Sequence, residues 1–121
     1  MKFVVKNTNT GVKFDLFRAK EDNAFVSSEV YTTRKTCLNG IESVKKNAAA
    51  APVEDQTVEN YVAEKCPKFE VYEDKAGKYR FRLKARNGQI VAHSDPFETV
   101  ELAKEAVEDV KKGVGKAAVE K

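Results

Sequence analysis

Apolar and polar positions alternate with a period of two over two long stretches of the second half of the chain. Phe69 and Val71 alternate with Lys68, Glu70 and Tyr72; after Asp74-Lys75-Ala76-Gly77, Tyr79, Phe81, Leu83 and Ala85 alternate with Arg80, Arg82, Lys84 and Arg86. This pattern, rich in aromatic residues, predicts half-buried antiparallel strands. Asn87-Gly88 supplies a two-residue turn that needs positive φ, and Gln89 to Ser94 returns as a third strand. The first half opens the same way, with Phe3 and Val5 and then Val12, Phe14 and Leu16. The period next changes to that of a helix. Cys37, Leu38, Ile41 and Val44 form one apolar stripe, and Leu102, Ala103, Ala106, Val107 and Val110 form another. Thr33 and Thr99 are placed to cap these helices, with Asn47 and Gly113 as C′ stops. Glu98 and Glu101 near one end of the second helix, and Lys111 and Lys112 near the other, suit its dipole. The tails Ala51 to Glu54 and Ala117 to Glu120 each predict a short edge strand.

A constant offset of 66 residues relates the two halves. It superposes Lys2-Phe3-x-Val5 on Lys68-Phe69-x-Val71, Glu42-x-Val44-Lys45-Lys46 on Glu108-x-Val110-Lys111-Lys112, and Ala51-x-Val53-Glu54 on Ala117-x-Val119-Glu120. Gly11 meets Gly77, Ala19 meets Ala85, Ser28 meets Ser94 and Thr33 meets Thr99 at the same offset. One offset held from end to end is the signature of an internal repeat. The reading is therefore a single domain of two repeats, 1–55 and 68–121, joined by a linker over 56–67 with a helical turn around Val58 to Ala63.

Pleating fixes the register parity, because residues directly opposite one another share a face. Phe69 and Val71 must oppose two of Tyr79, Phe81 and Leu83, which demands an odd loop and sets Glu70 opposite Arg80 or Arg82. Phe3 and Val5 must oppose Val12, Phe14 or Leu16, which demands an even loop. The first hairpins then differ by one residue, a slip that Phe17-Arg18 is expected to absorb.

Leu38-Asn39-Gly40-Ile41-Glu42-Ser43-Val44-Lys45-Lys46-Asn47-Ala48 strongly resembles the YegP-like family of small prokaryotic proteins of unknown function. Phe69-Glu70-Val71-Tyr72, Gly77-Lys78-Tyr79-Arg80-Phe81-Arg82-Leu83-Lys84-Ala85 and Asn87-Gly88 carry the rest of the pattern. The resemblance implies an α+β fold of two βββα(β) units in a pseudo-two-fold arrangement. The units would share one antiparallel sheet, carry both helices on one face and exchange their short C-terminal strands. Two departures mark divergence of the halves: Ala103 to Asp109 lacks the Asn-Gly-Ile-Glu-Ser run, and Glu21-Asp22 stands where a turn Asn-Gly is expected. Phe3, Val5, Phe14, Leu16, Ile41 and Val44 are expected to pack with Phe69, Val71, Phe81, Leu83, Val107 and Val110.

Composition narrows the function classes. With 121 residues, 41% of them hydrophobic, and only two cysteines, the chain suits one compact domain rather than a disulfide scaffold. No apolar run approaches the ~20 residues of a membrane span, and Met1 to Lys6 is too short for a secretory h-region. A cytoplasmic, reduced protein, monomeric because its repeats satisfy each other, is the expectation. His93, the single histidine, falls on an outward strand position across from Arg82 with no orienting acid assigned by spacing. Cys37 lies on the apolar stripe and Cys66 in the linker, in neither a redox nor a metal-ligand spacing. Gly11, Gly40, Gly77 and Gly88 are isolated, so no phosphate loop is formed. Gly40, inside a helix, costs ~1 kcal/mol against alanine and signals close approach of helix to sheet. These features exclude no fold-level role but supply no catalytic set, metal or cofactor, and the expectation is a non-enzymatic binding or structural module.

One charge pattern rises above that background. Arg80, Arg82, Lys84 and Arg86 share a strand face at ~6.7 Å intervals, twice the strand rise, while the whole chain carries only +3. Such a stripe is a candidate polyanion site, with Tyr72 as a stacking ring, and nucleic acid is its candidate partner. Four cations on duplex phosphates would give a salt slope of about −3.6. Glu70 opposite the stripe, and the near-neutral counterpart in the first half, weigh against it.

Overall fold

A computed structural model describes residues 1–121, the whole chain. Eight strands and two helices follow in the order β1 (Lys2–Asn7), β2 (Val12–Phe17), β3 (Val26–Ser28), α1 (Arg34–Asn47), β4 (Val53–Asp55), β5 (Lys68–Glu73), β6 (Tyr79–Lys84), β7 (Ile90–Ser94), α2 (Val100–Gly113) and β8 (Ala118–Glu120). The strands form one sheet in the order β4-β5-β6-β7-β3-β2-β1-β8. The fold is α+β, as expected. The sheet is not wholly antiparallel, however: β4 runs parallel to β5, and β8 parallel to β1. Each of these edge strands follows a helix that carries the chain to a margin of the sheet, and β4 reaches its parallel partner β5 through the dozen residues 56–67, the length such a connection requires. Segment 56–67 contains turns and no helix. Asn60, at φ 57°, leaves the helical region there.

Both register parities are as expected. Phe3 opposes Leu16 and Val5 opposes Phe14; Phe69 opposes Leu83, Val71 opposes Phe81, and Glu70 meets Arg82. Residues 17–25, nine of them, separate Leu16 from its β3 partner Val26, whereas residues 84–91, eight of them, separate Leu83 from Ala92, so the compensating residue lies in the first half within the stretch that begins at Phe17-Arg18. β7 carries a bulge of its own, since Leu83 opposes Ala92 but Lys84 opposes Ile90, skipping Val91. Val91 is not orphaned, because its carbonyl accepts the Glu29 N–H at 3.1 Å.

Thr33 and Thr99 cap α1 and α2, accepting from Thr36 N and Leu102 N at 3.1 Å each. Asn47 and Gly113 do not act as left-handed stops. They close their helices at φ −100° and −102°, and the chain tightens into a 3₁₀ turn after each, Ala48–Ala50 and Val114–Lys116. Those turns bury Ala48 and Val114 completely.

Every residue expected in the core is buried, and one continuous cluster holds the inward side chains of both hairpins together with those of α1 and α2. Both helices therefore cover the same face of the sheet. Phe3 meets Phe14 edge-on at 5.4 Å, and Phe69 meets Phe81 in the same way at 6.0 Å.

Two buried serines stitch the middle of the sheet. Ser28 Oγ accepts the Phe14 N–H and donates to the Glu29 carbonyl, at 2.9 and 2.7 Å. Ser94 Oγ accepts the Phe81 N–H and donates to the Asp95 carbonyl, at 2.9 and 2.8 Å. Ser94→Ala leaves a buried N–H without a partner and is expected to destabilise the fold by about 1–3 kcal/mol. Urea denaturation checks this, and a loss below a few tenths would contradict the assignment.

Candidate binding surfaces

The face of the sheet opposite the helices carries an ionic row. Outward residues of all eight strands line up as Glu54, Glu70, Arg82, His93, Ser27, Asp15, Val4 and Glu120. Three of these acids, Glu54, Glu70 and Asp15, are buried although they face away from the helices. Glu54 is covered by the 56–67 segment, whose Glu64 N–H donates to it at 2.7 Å. Lys68, also buried, bridges Glu54 and Glu70 at 2.7 and 3.1 Å. Burial alone would raise the Glu54 carboxyl, but donors from Lys68, Gln56 and Glu64 outweigh it and hold the group down at about 2. Glu70 is lowered too, its burial outweighed by Arg82, Lys68 and Lys84. Asp15 follows the same logic with Lys6, Lys13 and Ser27.

This network decides how the basic stripe is presented. Arg82 Nε donates to Glu70 at 2.6 Å and its guanidinium lies over the Tyr72 ring at 4.5 Å. Lys84 reaches the other Glu70 oxygen at 3.2 Å, and Arg80 bonds Asp74 at 2.8 Å. Arg86 lies beyond the strand in the β6–β7 turn, exposed and with no carboxylate in reach. Three of the four cations thus have partners, and the fourth faces a different region.

His93 pairs across β7 with Arg82, as expected, and with Ser27 of β3 on its other side. Ser27 Oγ donates to Asp15 at 3.0 Å rather than engaging the histidine. Cys37 is buried and Cys66 half-buried, both as free thiols. Burial pushes the Cys37 thiol up.

A cleft of about 560 Å³ opens between α1 and the β6–β7 turn, lined by Tyr31, Asn39, Gly40, Ser43, Ala85 and Val91 among others. Sequence reasoning missed it. Gly40 is its floor, and what approaches Gly40 is the side chain of Tyr31 rather than the sheet. A Cβ there would lie 2.3 Å from the Tyr31 hydroxyl. The Tyr31 ring is fixed by stacking on Phe14 at 6.4 Å, and burial raises its phenol above the usual range. The 66-residue offset contained the signal. Ser43 and Val91 correspond to Asp109 and Phe25, and Ala85 takes the place of Arg18 once the hairpin slip is counted. In the other half those larger side chains close the crevice: Arg18 stacks over Phe25 at 4.6 Å and reaches Asp109 at 3.5 Å.

The comparisons with known proteins agree with this architecture. Residues 16–55 and 74–120 match a family model described as a domain of unknown function, DUF1508. A UPF0339 protein of Methanosarcina acetivorans is 48% identical over 52 residues, covering 43% of this chain and 90% of that protein. The UPF0339 protein PA0329 of Pseudomonas aeruginosa is 30% identical over 98% of this chain and 94% of its own length. The solution NMR structure of yegP from E. coli, described as a protein of unknown function, superposes with a TM-score of 0.75 at 23% identity, covering 98% of this chain and 90% of that one. Neither the family description nor these names carries an enzymatic activity. No helix is long and apolar enough to cross a membrane. With the family model matched across both halves and a relative aligned almost end to end, the chain belongs to the DUF1508 (UPF0339, YegP-like) family.

Proposed function

We propose that the chain is a non-enzymatic binding module of the cytoplasm, built from two diverged copies of one βββα(β) unit and working as a monomer. The duplication reading is supported by the constant offset and by matched details at that offset, including the Thr33 and Thr99 caps and the Ser28 and Ser94 bridges. In a pseudo-two-fold scheme the axis would pass between Ser27 and His93, where β3 meets β7. The edge strands β4 and β8 are then the exchanged pieces, each completing the other unit. The cytoplasmic reading is supported by two unpaired cysteines.

One observation carries the binding reading: of two crevices at corresponding positions, one is filled by Arg18, Phe25 and Asp109, and the other is open. The open cleft combines a hydroxyl and an amide, from Tyr31 and Asn39, with apolar walls at Val30, Ile90 and Val91, the composition expected of a small-molecule seat. Filling it tests the proposal. A Ser43→Asp, Ala85→Arg, Val91→Phe variant copies the closed crevice, and Val91→Phe alone is the gentler version. Compounds retained by the wild-type protein from a native small-molecule extract, read by mass spectrometry, should be lost from both variants while circular dichroism is unchanged. Identical retention by all three proteins, or none by the wild type, overturns the reading.

A second reading is polyanion binding along Arg80, Arg82, Lys84 and Arg86. Its support is the sheet face that the helices leave open, with Arg82 held flat against Tyr72. Because Glu70 and Asp74 already occupy three of these cations, a bound strand would have to compete with them. The expected salt slope for single-stranded or duplex probes is therefore shallower than −3.6, and a flat response to salt would discard the reading.

A further inference from the structure

Arg86 is the member of the basic stripe with no acidic partner, and its surroundings differ from those of the other three. It lines a cleft of about 630 Å³ together with Lys46, Asn47, Lys65 and Cys66. The three cations arrive from separate elements. Lys46 comes from the last turn of α1, Lys65 from the approach to β5, and Arg86 from the β6–β7 turn. Each backbone is anchored. The turn is closed by the Ala85 N–H to Gln89 carbonyl bond at 2.9 Å and the Gly88 N–H to Ala85 carbonyl bond at 2.8 Å. The residue before Lys65 is held by its N–H on buried Glu54, and Lys46 sits on a helix packed into the core.

None of the three has a carboxylate within ion-pair distance, although cations elsewhere on the same hairpin, Lys78, Arg80, Arg82 and Lys84, are all partnered. Glu64 is the single acidic residue in the lining. Three like charges gathered around one cleft repel each other, and the one carboxylate of the lining, Glu64, leaves them in excess. A ligand with two or more linked phosphates would relieve them. A guanidinium offers a forked donor set and the two ammonium groups offer point charges, the mixture that suits adjacent phosphate oxygens. The pseudo-equivalent depression of the other half is lined by Glu21 and Asp22 beside Lys2, Arg18 and Lys20, a mixed-charge composition that offers an anion no such advantage.

We propose that Lys46, Lys65 and Arg86 form a diphosphate-binding site in the cleft between the end of α1, the 56–67 segment and the β6–β7 turn. The proposal rests on the polyanion reading but moves the binding locus from the strand face to this cleft. The diphosphate group is the shared chemistry of a free nucleotide or diphosphate and of a nucleic-acid end, and the test separates these sources.

Inorganic diphosphate and a single-stranded oligonucleotide bearing a 5′-diphosphate are titrated into the full chain, with amide NMR shifts as the readout. Two variants of exposed or half-exposed residues are compared with the wild type: Lys46→Ala, Arg86→Ala for the cleft, and Arg80→Ala, Arg82→Ala for the strand face. Diphosphate should shift the amides of Lys46, Lys65 and Arg86. Its affinity should fall about tenfold or more for each cleft cation removed, as expected for a lost charge-assisted hydrogen bond, and should hold in the strand-face variant. Saturable binding of diphosphate without the oligonucleotide assigns the site to free ligands. Competition between the two assigns it to nucleic acid as well. Absence of diphosphate binding, or equal affinity in the cleft variant, overturns the site. Oligonucleotide binding lost only in the strand-face variant, with no diphosphate binding, overturns the cleft while leaving the polyanion reading standing, and no binding of either probe ends both.

Discussion

Replacing Lys68 with methionine is expected to cost about 3–5 kcal/mol at pH 7, because it strands the buried carboxylates Glu54 and Glu70 without the cation that bridges them. Arg82 and Lys84 still serve Glu70, so the deficit falls mainly on Glu54, whose remaining donors are Gln56 and the Glu64 N–H. The pH dependence identifies the cause. The folded Glu54 carboxyl lies at about 2 against an ordinary 4.5. Its stabilisation, on the order of 3 kcal/mol by linkage, is complete above pH 4.5 and is lost as the pH falls toward 2. Asp15, Asp55 and Glu70 are lowered as well and act in the same direction. The Lys68 ammonium is raised, first by its bond to Glu54, so its contribution holds below its ordinary value of 10.5 and fades at higher pH. The wild type should therefore lose stability steeply between pH 5 and 2. The Lys68→Met protein, with Glu54 free to take up a proton, should lose less, and the gap between them should narrow in acid. Urea midpoints at pH 7 and pH 3 decide it; a gap independent of pH would mean that the loss comes from packing rather than charge.

Gly40→Ala is the second large effect. A methyl group at that position would lie 2.3 Å from the Tyr31 hydroxyl and 2.7 Å from its ring carbon. The ring is held from behind by Phe14, so the overpacking should cost about 1–3 kcal/mol even though alanine is the better helix former. The second half shows the compatible pair. Phe97, stacked on Phe81 as Tyr31 is on Phe14, stands where the hydroxyl is missing, and Ala106 stands at the position of Gly40. Tyr31→Phe removes the 2.3 Å contact but leaves the ring carbon at 2.7 Å, so it should rescue Gly40→Ala in part, the ring having to shift toward the position Phe97 takes beside Ala106. Four denaturation curves complete the cycle. Additive losses would show that Tyr31 and Gly40 are not coupled.

Much of the architecture was legible because it rests on local periodicity. The alternation around Phe69 and Phe81 fixed which faces meet, and parity alone placed Glu70 opposite Arg80 or Arg82, of which the structure has the second. The parallel direction of β4 and β8 was not legible, since three-residue strands carry no directional pattern and their pairing depends on where a helix delivers them. The slip was legible to within one connection, because parity requires the extra residue between β2 and β3 without choosing among 17–25. The bulge at Val91 was not legible, since it depends on a neighbouring strand ready to satisfy the Val91 carbonyl. The stripe from Arg80 to Arg86 was visible as charge. Its partition was not, because it depends on carboxylates that reach across strands and on a turn that carries Arg86 away from its neighbours. The open cleft was hidden for a different reason: it exists where small residues replace Arg18, Phe25 and Asp109, and a space has no residue of its own.

The pairing of β8 with β1 bears on the birth of the molecule. On the ribosome β1 emerges more than a hundred residues before the strand that shields its outer edge. For that whole interval the growing polypeptide presents bare backbone donors and acceptors at one margin, a template for any passing β-segment. Completing that margin waits on a strand made more than a hundred residues later, so a deletion that removes Ala118 to Glu120 would leave an adhesive product rather than a merely shortened one.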